Sequence, residues 1–357
     1  MPINWIARTY RSGDESKIFE LRKAVRPERK YKPKPWLKMW HWMYTEIPTG
    51  SKTWLACNNG QVVGQHSCLI KNVKVGNDIV KTALLLDSST HPDYRRQGIN
   101  ITLSKKARDE LLKNGVHMTV GFPNDATHTK NMKLGFFDVP GEKKMIKVFK
   151  WENALKTWNN NRLFLKLGAL TGSMINNLVY RASKRPVIEG LEVSQVSCFD
   201  ERINALWEKV SSQIQITAVR SKDYLNWRYA AVPDVHYAIY IAEKAGDVCG
   251  YLVMRRVQEE QQNAAVIYDL FAESEKVAQY LLSTVSELCQ KDNMDYIYWV
   301  GIAPKLYLKA FRKNGFISQP FRKEGNFNVY SNSLNVSKEF LSNPQNWLVQ
   351  IGDSDNL

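Results

Sequence analysis

The chain has 357 residues, of which 44% are hydrophobic and 24% charged, and its formal net charge is +15. This composition excludes a disordered chain and is typical of a globular protein long enough for two domains. Five scattered cysteines without a Cys-x-x-Cys pair argue against a disulfide framework or a zinc site. The charge indicates anionic partners without choosing among coenzyme A, nucleotide-linked sugars, anionic lipid and nucleic acid.

Two features that the sequence lacks bear on the compartment in which the protein is expected. The first 17 residues lack the apolar core of a signal peptide, and no run of 18 apolar residues follows anywhere in the chain. Together with the unpaired cysteines, these features predict a cytoplasmic protein without a membrane-spanning helix.

An aromatic segment, residues 31–44, is the first distinctive feature along the chain. It mixes Trp36, Trp40, Trp42 and Tyr44 with three lysines. Stacked rings and cations of this kind can bind a base or a sugar ring. Trp42 and Tyr44 have counterparts later in the chain, so we expect them in the core and keep Trp36 and Trp40 as candidate acceptor contacts.

Residues 53–87 show a strand pattern. Apolar runs are interrupted by Asn-Gly and Gly-Asn pairs, which favour tight hairpin turns. The pattern predicts successive antiparallel strands, the last of which ends at Asp87.

The loop after this strand, residues 90–100, reads THPDYRRQGIN, and a helical pattern follows it. Gly98 allows the backbone to turn so that successive N–H groups point into one concavity. The helix start adds unpaired N–H groups and the positive end of its dipole. The segment therefore predicts a phosphate or pyrophosphate site, although it is neither a Walker A loop nor a Rossmann fingerprint.

A second segment, residues 121–139, has the order strand, asparagine, helix and Lys-Leu-Gly-Phe. Together the two segments resemble the GNAT superfamily of acyl-CoA transferases, whose first motif is R/Q-x-x-G-x-G/A. The resemblance implies an acetyl-CoA or longer acyl-CoA cosubstrate, with Asn100 standing where the motif has a small residue. It implies acyl-CoA contacts at Ser89, Thr90, Arg95, Arg96, Gln97, Gly98, Ile99, Asn100 and Asn124.

Asp87 is the candidate general base. Transfer of an acyl group from a thioester to an amine requires positioning, a polarised carbonyl and loss of the amine proton. An acidic residue at the end of this strand removes that proton in many enzymes that the chain resembles. The alternative, that Asp87 only bonds backbone or caps structure, stays open.

The resemblance places a tyrosine general acid at the position occupied by Asn131. No tyrosine is available there, so His128, one helical turn earlier, becomes the candidate proton donor. We expect no metal in the reaction, because a thioester is already activated.

Five landmarks recur in the same order in the two halves of the chain. They pair Trp42 with Trp227, Pro48 with Pro233, Gly64 with Gly250, Asp87 with Asp269 and Gly135 with Gly315. The pattern indicates duplication. The second copy has no glycine loop after Asp269, so one cofactor per chain is expected.

The predicted fold class is α+β, with two tandem GNAT-like domains that each have a mainly antiparallel, splayed sheet flanked by helices. Residues 1–150 form the domain with the phosphate loop, and residues 187–357 form the domain without it. Residues 151–186 are predicted to be a helical linker. Its apolar face also permits an interfacial helix that rests on an anionic membrane, and both interpretations stay open.

The leading functional interpretation is an N-acyltransferase that acts on a small-molecule primary amine. The paired Trp-x-Tyr and Pro landmarks resemble GNAT proteins associated with bacterial surface-polysaccharide assembly, which implies an amino sugar, nucleotide- or lipid-linked. The alternatives are a Fem-type transferase that uses charged tRNA and a non-catalytic binding module. The glycine loop argues against the Fem type, so no nucleic-acid partner is expected.

Overall fold

We analysed a computed structural model of the chain, which describes residues 5–156, 185–259, 262–319, 327–331 and 334–355. The predicted linker falls mostly outside these residues. Its first six residues form a helix, whereas residues 157–184, on which the interfacial-helix hypothesis depends, lie outside the described residues.

Both halves of the chain contain helices and strands. The helices are α1 (Glu15–Val25), α2 (Pro33–Tyr44), α3 (Ile99–Lys113), α4 (Asp125–Lys133), α5 (Trp151–Lys156), α6 (Arg202–Ser211), α7 (Lys222–Leu225), α8 (Glu275–Lys291), α9 (Lys305–Lys313) and α10 (Lys338–Ser342). A π-helical turn covers Asn226–Ala230, and 3-10 turns cover Pro92–Tyr94, Pro344–Asn346 and Ile351–Asp353.

The strands are short except for two hairpins of long strands. They are β1 (Ile6–Thr9), β2 (Ser51–Asn58), β3 (Gln61–Val75), β4 (Asp78–Thr90), β5 (Val116–Gly121), β6 (Phe137–Asp138), β7 (Lys143–Val148), β8 (Leu191–Val196), β9 (Ile216–Ala218), β10 (Ala238–Lys244), β11 (Asp247–Glu259), β12 (Gln262–Ala272), β13 (Tyr296–Ile302), β14 (Ile317–Ser318), β15 (Asn328–Ser331) and β16 (Trp347–Gln350).

The hairpin turns lie at the Asn-Gly and Gly-Asn pairs of the sequence. Asn59 and Gly60, between β2 and β3, have φ of +46° and +79°, the left-handed backbone that a two-residue hairpin turn needs. Gly76, between β3 and β4, has φ of +62°. The strand pattern over residues 53–87 is therefore confirmed.

The chain divides into two compact units. The first contains the described residues within 1–139, 231–234 and 326–342, and its strand order is β1-β2-β3-β4-β5-β15-β6. Only β4 and β5 pair in parallel among these strands. The helix α3 packs on this sheet through Ile99, Leu103, Ala107 and Leu111, which share a core with Trp54.

The second unit contains the described residues within 140–230, 235–325 and 343–357. Its strand order is β8-β10-β11-β12-β13-β7-β14, and β16 pairs with both β13 and β9. The helix α8 buries one face, including Leu281, Leu282 and Val285. Mainly antiparallel sheets with flanking helices confirm the predicted α+β class.

This partition differs from a boundary at residue 150. Strand β7 lies between β13 and β14 in the second unit, although its residues come before the linker. Strand β15 lies between β5 and β6 in the first unit, although its residues come near the end of the chain. Each unit is therefore completed by a strand from the other half of the sequence.

Candidate active site

The loop between β4 and α3 gathers backbone N–H groups and arginines. Gly98 has φ of +77° and precedes α3 without any capping side-chain hydrogen bond. Arg96 also has a positive φ, +64°. The helix therefore begins with uncapped N–H groups at the positive end of its dipole, and Arg95 and Arg96 are exposed beside them. The donor set suits a diphosphate group.

A close approach between α3 and β3 fixes the start of this helix. A Cβ on Gly64 would collide with Ile99 Cγ2 and would lie 3.2 Å from Ala56 Cβ. The Ile99 side chain is buried in the core, so among its groups only the backbone N–H is available to a bound anion. Because Gly64 has no side chain, the start of α3 can pack directly against the sheet at this point.

Strands β4 and β5 separate next to this loop. Their parallel pairing ends at Leu84 and Val120, whereas β4 continues to Thr90. Over Ser89 and Thr90, β4 pairs with β3 alone among the described strands. The splayed crevice that the resemblance implies is therefore present in the first unit.

The separated part of β4 also contains a bulge. On β3, Gln65 pairs with Ser89 and Ser67 pairs with Leu86, so Asp87 and Ser88 together face a single residue, His66. Asp87 has φ of +47°. The irregular backbone directs the Asp87 and Ser88 side chains to two different sets of partners.

Asp87 contacts α1 and α2. Its Oδ1 accepts a hydrogen bond from Arg22 at 2.5 Å, and its Oδ2 accepts one from the Tyr44 hydroxyl at 2.6 Å. Burial, with a further contribution from the Asp87 carboxylate, raises the pKa of Tyr44 well above its usual value. Tyr44 therefore remains a protonated donor, and both carboxylate oxygens are oriented.

Ser88 contacts the α3 and α4 side. Asn100 Nδ2 donates to Ser88 Oγ at 2.8 Å, and Lys130 Nζ donates to Asn100 Oδ1 at 2.9 Å. His66 Nδ1 lies 3.2 Å from Ser88 Oγ, and burial lowers the pKa of His66 to about 3. Burial also lowers the pKa of Lys130 to about 8. The Asn100 side chain thus links the bulge to α4.

Asn124, His128 and Asn131, the residues of this region that sequence reasoning singled out, have different hydrogen-bond partners. Asn124 is the N-cap of α4, and its Oδ1 accepts a hydrogen bond from the Thr127 N–H at 3.0 Å. His128 Nε2 lies within hydrogen-bond distance of Asp138, 2.9 Å from its Oδ1. Asn131 is buried, and its Oδ1 has no hydrogen-bond partner in the described part of the chain. The hydrogen-bonding partner of His128 in the described part of the chain is thus Asp138.

A cleft of about 430 Å³ opens on the α1 and α2 side, with Asp87 in its wall. The Trp36 and Trp40 rings lie 5.4 Å apart with an interplanar angle of 27°. The remaining lining is formed by Arg22, Lys30, Tyr31, Lys32, Pro35, Met39, Met43 and Tyr44. Trp36 and Trp40, the predicted acceptor contacts, therefore lie in one cleft with the candidate base, whereas Trp42 is buried as expected.

Sequence reasoning did not single out two residues of this site. Arg22 and Lys130 come from α1 and α4, and no motif marks them. Tyr44 was expected to be a core residue, and it is buried, but its hydroxyl also orients Asp87.

The matching crevice of the second unit is filled by protein. Strand β12 pairs with β13 as far as Ile267 and Trp299, and β16 then pairs with Gly301 and Ile302 of β13. Gln350 Nε2 donates to Asp269 Oδ1 at 2.6 Å, while its Oε1 accepts from Trp299 Nε1 at 2.9 Å. In the second unit, β16 therefore occupies the position that corresponds to the open crevice of the first unit.

Two features are absent from the described residues. No group of three or more histidine, cysteine, aspartate or glutamate side chains could hold a metal ion among them. None of the helices in the described ranges is long and apolar enough to cross a membrane.

Comparison with known proteins agrees with this geometry. Residues 7–135 match the family model described as an acetyltransferase (GNAT) domain. No curated protein sequence matches the chain significantly.

Solved structures share the fold over most of the chain. A GCN5-related N-acetyltransferase from Anabaena variabilis ATCC 29413 has a TM-score of 0.66 at 12% identity, covering 92% of this chain and 73% of that one. A conserved protein from Enterococcus faecalis V583, described as a probable N-acyltransferase, has a TM-score of 0.66 at 10% identity with the same coverage. N-myristoyltransferase from Saccharomyces cerevisiae, solved with bound myristoyl-CoA, has a TM-score of 0.56 at 10% identity, covering 93% and 80%.

Proposed function

We propose that the chain transfers an acetyl or longer acyl group from acyl-CoA to the primary amine of a small molecule. The observation that supports this most is the bulge at Asp87 and Ser88. Asp87 contacts α1 and α2 beside the cleft. Ser88 accepts a hydrogen bond from Asn100 in α3, the helix that begins after the Gly98 loop. A donor bound on one side and an acceptor bound on the other would meet at the bulge.

The donor side would hold coenzyme A by its diphosphate. Gly98, Arg95 and Arg96, with the first N–H groups of α3, supply the positive charge and the hydrogen-bond donors. The crevice between β4 and β5 leaves unpaired backbone beyond Leu84 for the rest of the molecule. Ser89, Thr90 and Gln97 border this path, and Asn100 is a further proposed contact.

The acceptor side has charge of both signs. The Asp87 carboxylate lies in the cleft wall, the stacked Trp36 and Trp40 lie beside it, and Lys30 and Lys32 are exposed around it. A carboxylate suits an ammonium group, an indole face suits a sugar ring, and lysines suit phosphate. This arrangement supports an amino sugar that carries a phosphate, either nucleotide- or lipid-linked, and hence a role in polysaccharide assembly.

Asp87 is the proposed acceptor of the amine proton. Its oxygens are held by Arg22 and Tyr44, so the carboxylate is oriented, and about a fifth of its side chain (19%) remains exposed. An oriented base next to the incoming amine contributes typically about 10²–10⁴ in rate.

The two units are proposed to be copies of one ancestral GNAT-like unit. Tyr229 donates to Asp269 at 3.1 Å as Tyr44 donates to Asp87. Gly250 allows α8 to approach its sheet, because a Cβ at this position would lie only 3.0 Å from Val277 Cγ1, and Gly64 does the same for α3. The tyrosine–aspartate hydrogen bond and the close approach of a helix at a glycine thus recur in both units, which supports duplication.

The proposal predicts acyl-CoA-dependent release of free thiol in the presence of the right amine. Purified protein would be assayed with acetyl-, octanoyl- and myristoyl-CoA against nucleotide-linked amino sugars, amino sugar phosphates and simple amines. We expect turnover only with amines that carry a phosphate, and mass spectrometry should find the acyl group on the amine nitrogen. Binding of coenzyme A without turnover of any amine would favour a non-catalytic module, and transfer from charged tRNA alone would favour the Fem-type alternative.

A further inference from the structure

A half-buried cation on α4, Lys130, is not among the groups to which the proposed acyl transfer assigns a role. Lys130 Nζ donates to Asn100 Oδ1 at 2.9 Å and to Ser104 Oγ at 3.4 Å. No carboxylate lies within salt-bridge distance of it in the described part of the chain. Burying an ammonium group without a counter-charge costs free energy, which a leucine or methionine at this position would avoid.

The cavity that contains Lys130 has cationic side chains in its wall. It is lined by His66 from β3, by Lys105 and Arg108 from α3 and by Tyr330 from β15, and none of the described lining residues has a carboxylate. Leu85 and Leu134 supply apolar walls. His66 stays neutral, since burial lowers its pKa to about 3. Lys130 is therefore the half-buried cation that gives up a proton most readily here, its pKa being lowered to about 8 by burial.

The position of Lys130 relative to the bulge is fixed by two hydrogen bonds. The Asn100 amide accepts a hydrogen bond from Lys130 at its oxygen and donates one to Ser88 Oγ from its nitrogen. Ser88 is the bulge residue next to Asp87. Lys130 thus lies on the α3 and α4 side of the bulge, opposite the contacts that Asp87 makes with Arg22 and Tyr44.

We infer that Lys130 is the catalytic acid that protonates the leaving thiolate of coenzyme A. This inference rests on the proposed acyl transfer. The new C–N amide bond forms as the thioester C–S bond breaks, and Lys130 Nζ gives a proton to the departing sulfur. Asp87 takes the proton that the amine nitrogen loses, and solvent restores both groups. Neither Asn131, whose side chain has no acidic proton, nor His128, which pairs with Asp138, is then needed for this step.

Two substitutions at Lys130 separate this role from simpler ones. Lys130→Met removes the charge and the proton, and Lys130→Arg keeps the charge but cannot release a proton at neutral pH. We expect both variants to lose roughly 10²–10⁴ in kcat while KM for acetyl-CoA stays close to that of the wild type. Lys133→Met, an exposed change on the same helix, should keep wild-type kinetics.

The pH profile gives an independent readout. An acid must be protonated, so wild-type kcat should fall as pH rises through about 8, the pKa to which burial lowers Lys130, and this basic limb should be absent from the residual activity of Lys130→Met. If Lys130 only attracts an anion of coenzyme A, Lys130→Arg should keep kcat and Lys130→Met should raise KM. If it only joins α3 to α4, both variants should lower Tm with unchanged kcat per folded molecule. Either outcome overturns the inference, whereas a wild-type protein without any acyl transfer overturns the proposed function itself.

Discussion

Asp87→Asn is expected to lower kcat by roughly 10²–10⁴ while the affinity for coenzyme A stays nearly unchanged. Asparagine keeps the shape of aspartate and can still accept from Tyr44, but it cannot take a proton from the amine at neutral pH. Thiol release at neutral pH measures kcat, and calorimetric titration with coenzyme A measures the affinity.

Asp269→Asn is the matched control, because Asp269 has the equivalent place in the second unit. Its carboxylate is 2% exposed and is held by Arg220, Tyr229, Tyr251 and Gln350. Removing this charge leaves Arg220 poorly balanced in the interior, so the change should lower the free energy of unfolding by about 3–5 kcal/mol. The proposal requires kcat per folded molecule to survive in Asp269→Asn and to fall in Asp87→Asn.

The opposite pattern would assign Asp87 a purely structural role. In that case Asp87→Asn should lower Tm and weaken coenzyme A binding while kcat per folded molecule stays unchanged. Full activity of a stable Asp87→Asn protein at neutral pH would also remove Asp87 from the reaction.

Gly98→Val should abolish binding of acyl-CoA. The left-handed backbone conformation of Gly98 is unfavourable for a β-branched residue by about 1–2 kcal/mol. We therefore expect the loop to change its conformation in Gly98→Val. Apart from Gly98 and its two neighbours in the chain, no atom of the described residues lies within 4 Å of a Cβ at this position, so the new side chain would project into the space proposed for the diphosphate. Calorimetric titration with acetyl-CoA measures the loss.

Gly76→Val controls for backbone strain alone. Gly76 also has a positive φ, +62°, and a Cβ there would likewise meet no other described residue within 4 Å beyond its chain neighbours, but Gly76 lies in the hairpin turn between β3 and β4. Gly76→Val should therefore lose similar stability and still bind acetyl-CoA. Equal affinity of the two valine variants would mean that the Gly98 loop does not hold the cofactor.

The local features of the first unit could be predicted from the sequence because each depends on neighbouring residues. The hairpin turns at Asn59 and Gly76 and the helix that begins after Gly98 follow from short-range backbone preferences, whereas the strand expected to end at Asp87 continues to Thr90. The splay of β4 from β5 came from the resemblance to a known fold, since no spacing in the sequence indicates where parallel pairing stops.

The partners of the site residues could not be predicted, because they are distant in sequence. Arg22 precedes Asp87 by 65 residues, and Lys130 follows Asn100 by 30. His128 had a suitable residue type and position along its helix, but Asp138, ten residues later, pairs with it at the surface. Only the folded chain shows which polar side chains share a cavity.

The exchanged strands and the filled crevice escaped prediction for a related reason. Strands β15 and β16 have four residues each, too few for a period to identify them or their neighbours. The absence of a glycine loop in the second half predicted one cofactor per chain, and the position of β16 supplies an independent reason for the same expectation.

Calorimetric titration of the wild-type protein with coenzyme A tests the central claim most directly. The first unit has an open crevice and a glycine loop, whereas the second has its crevice filled by β16, so we expect one coenzyme A per chain. A stoichiometry of two, or no binding of coenzyme A or acetyl-CoA at any accessible concentration, would contradict the account.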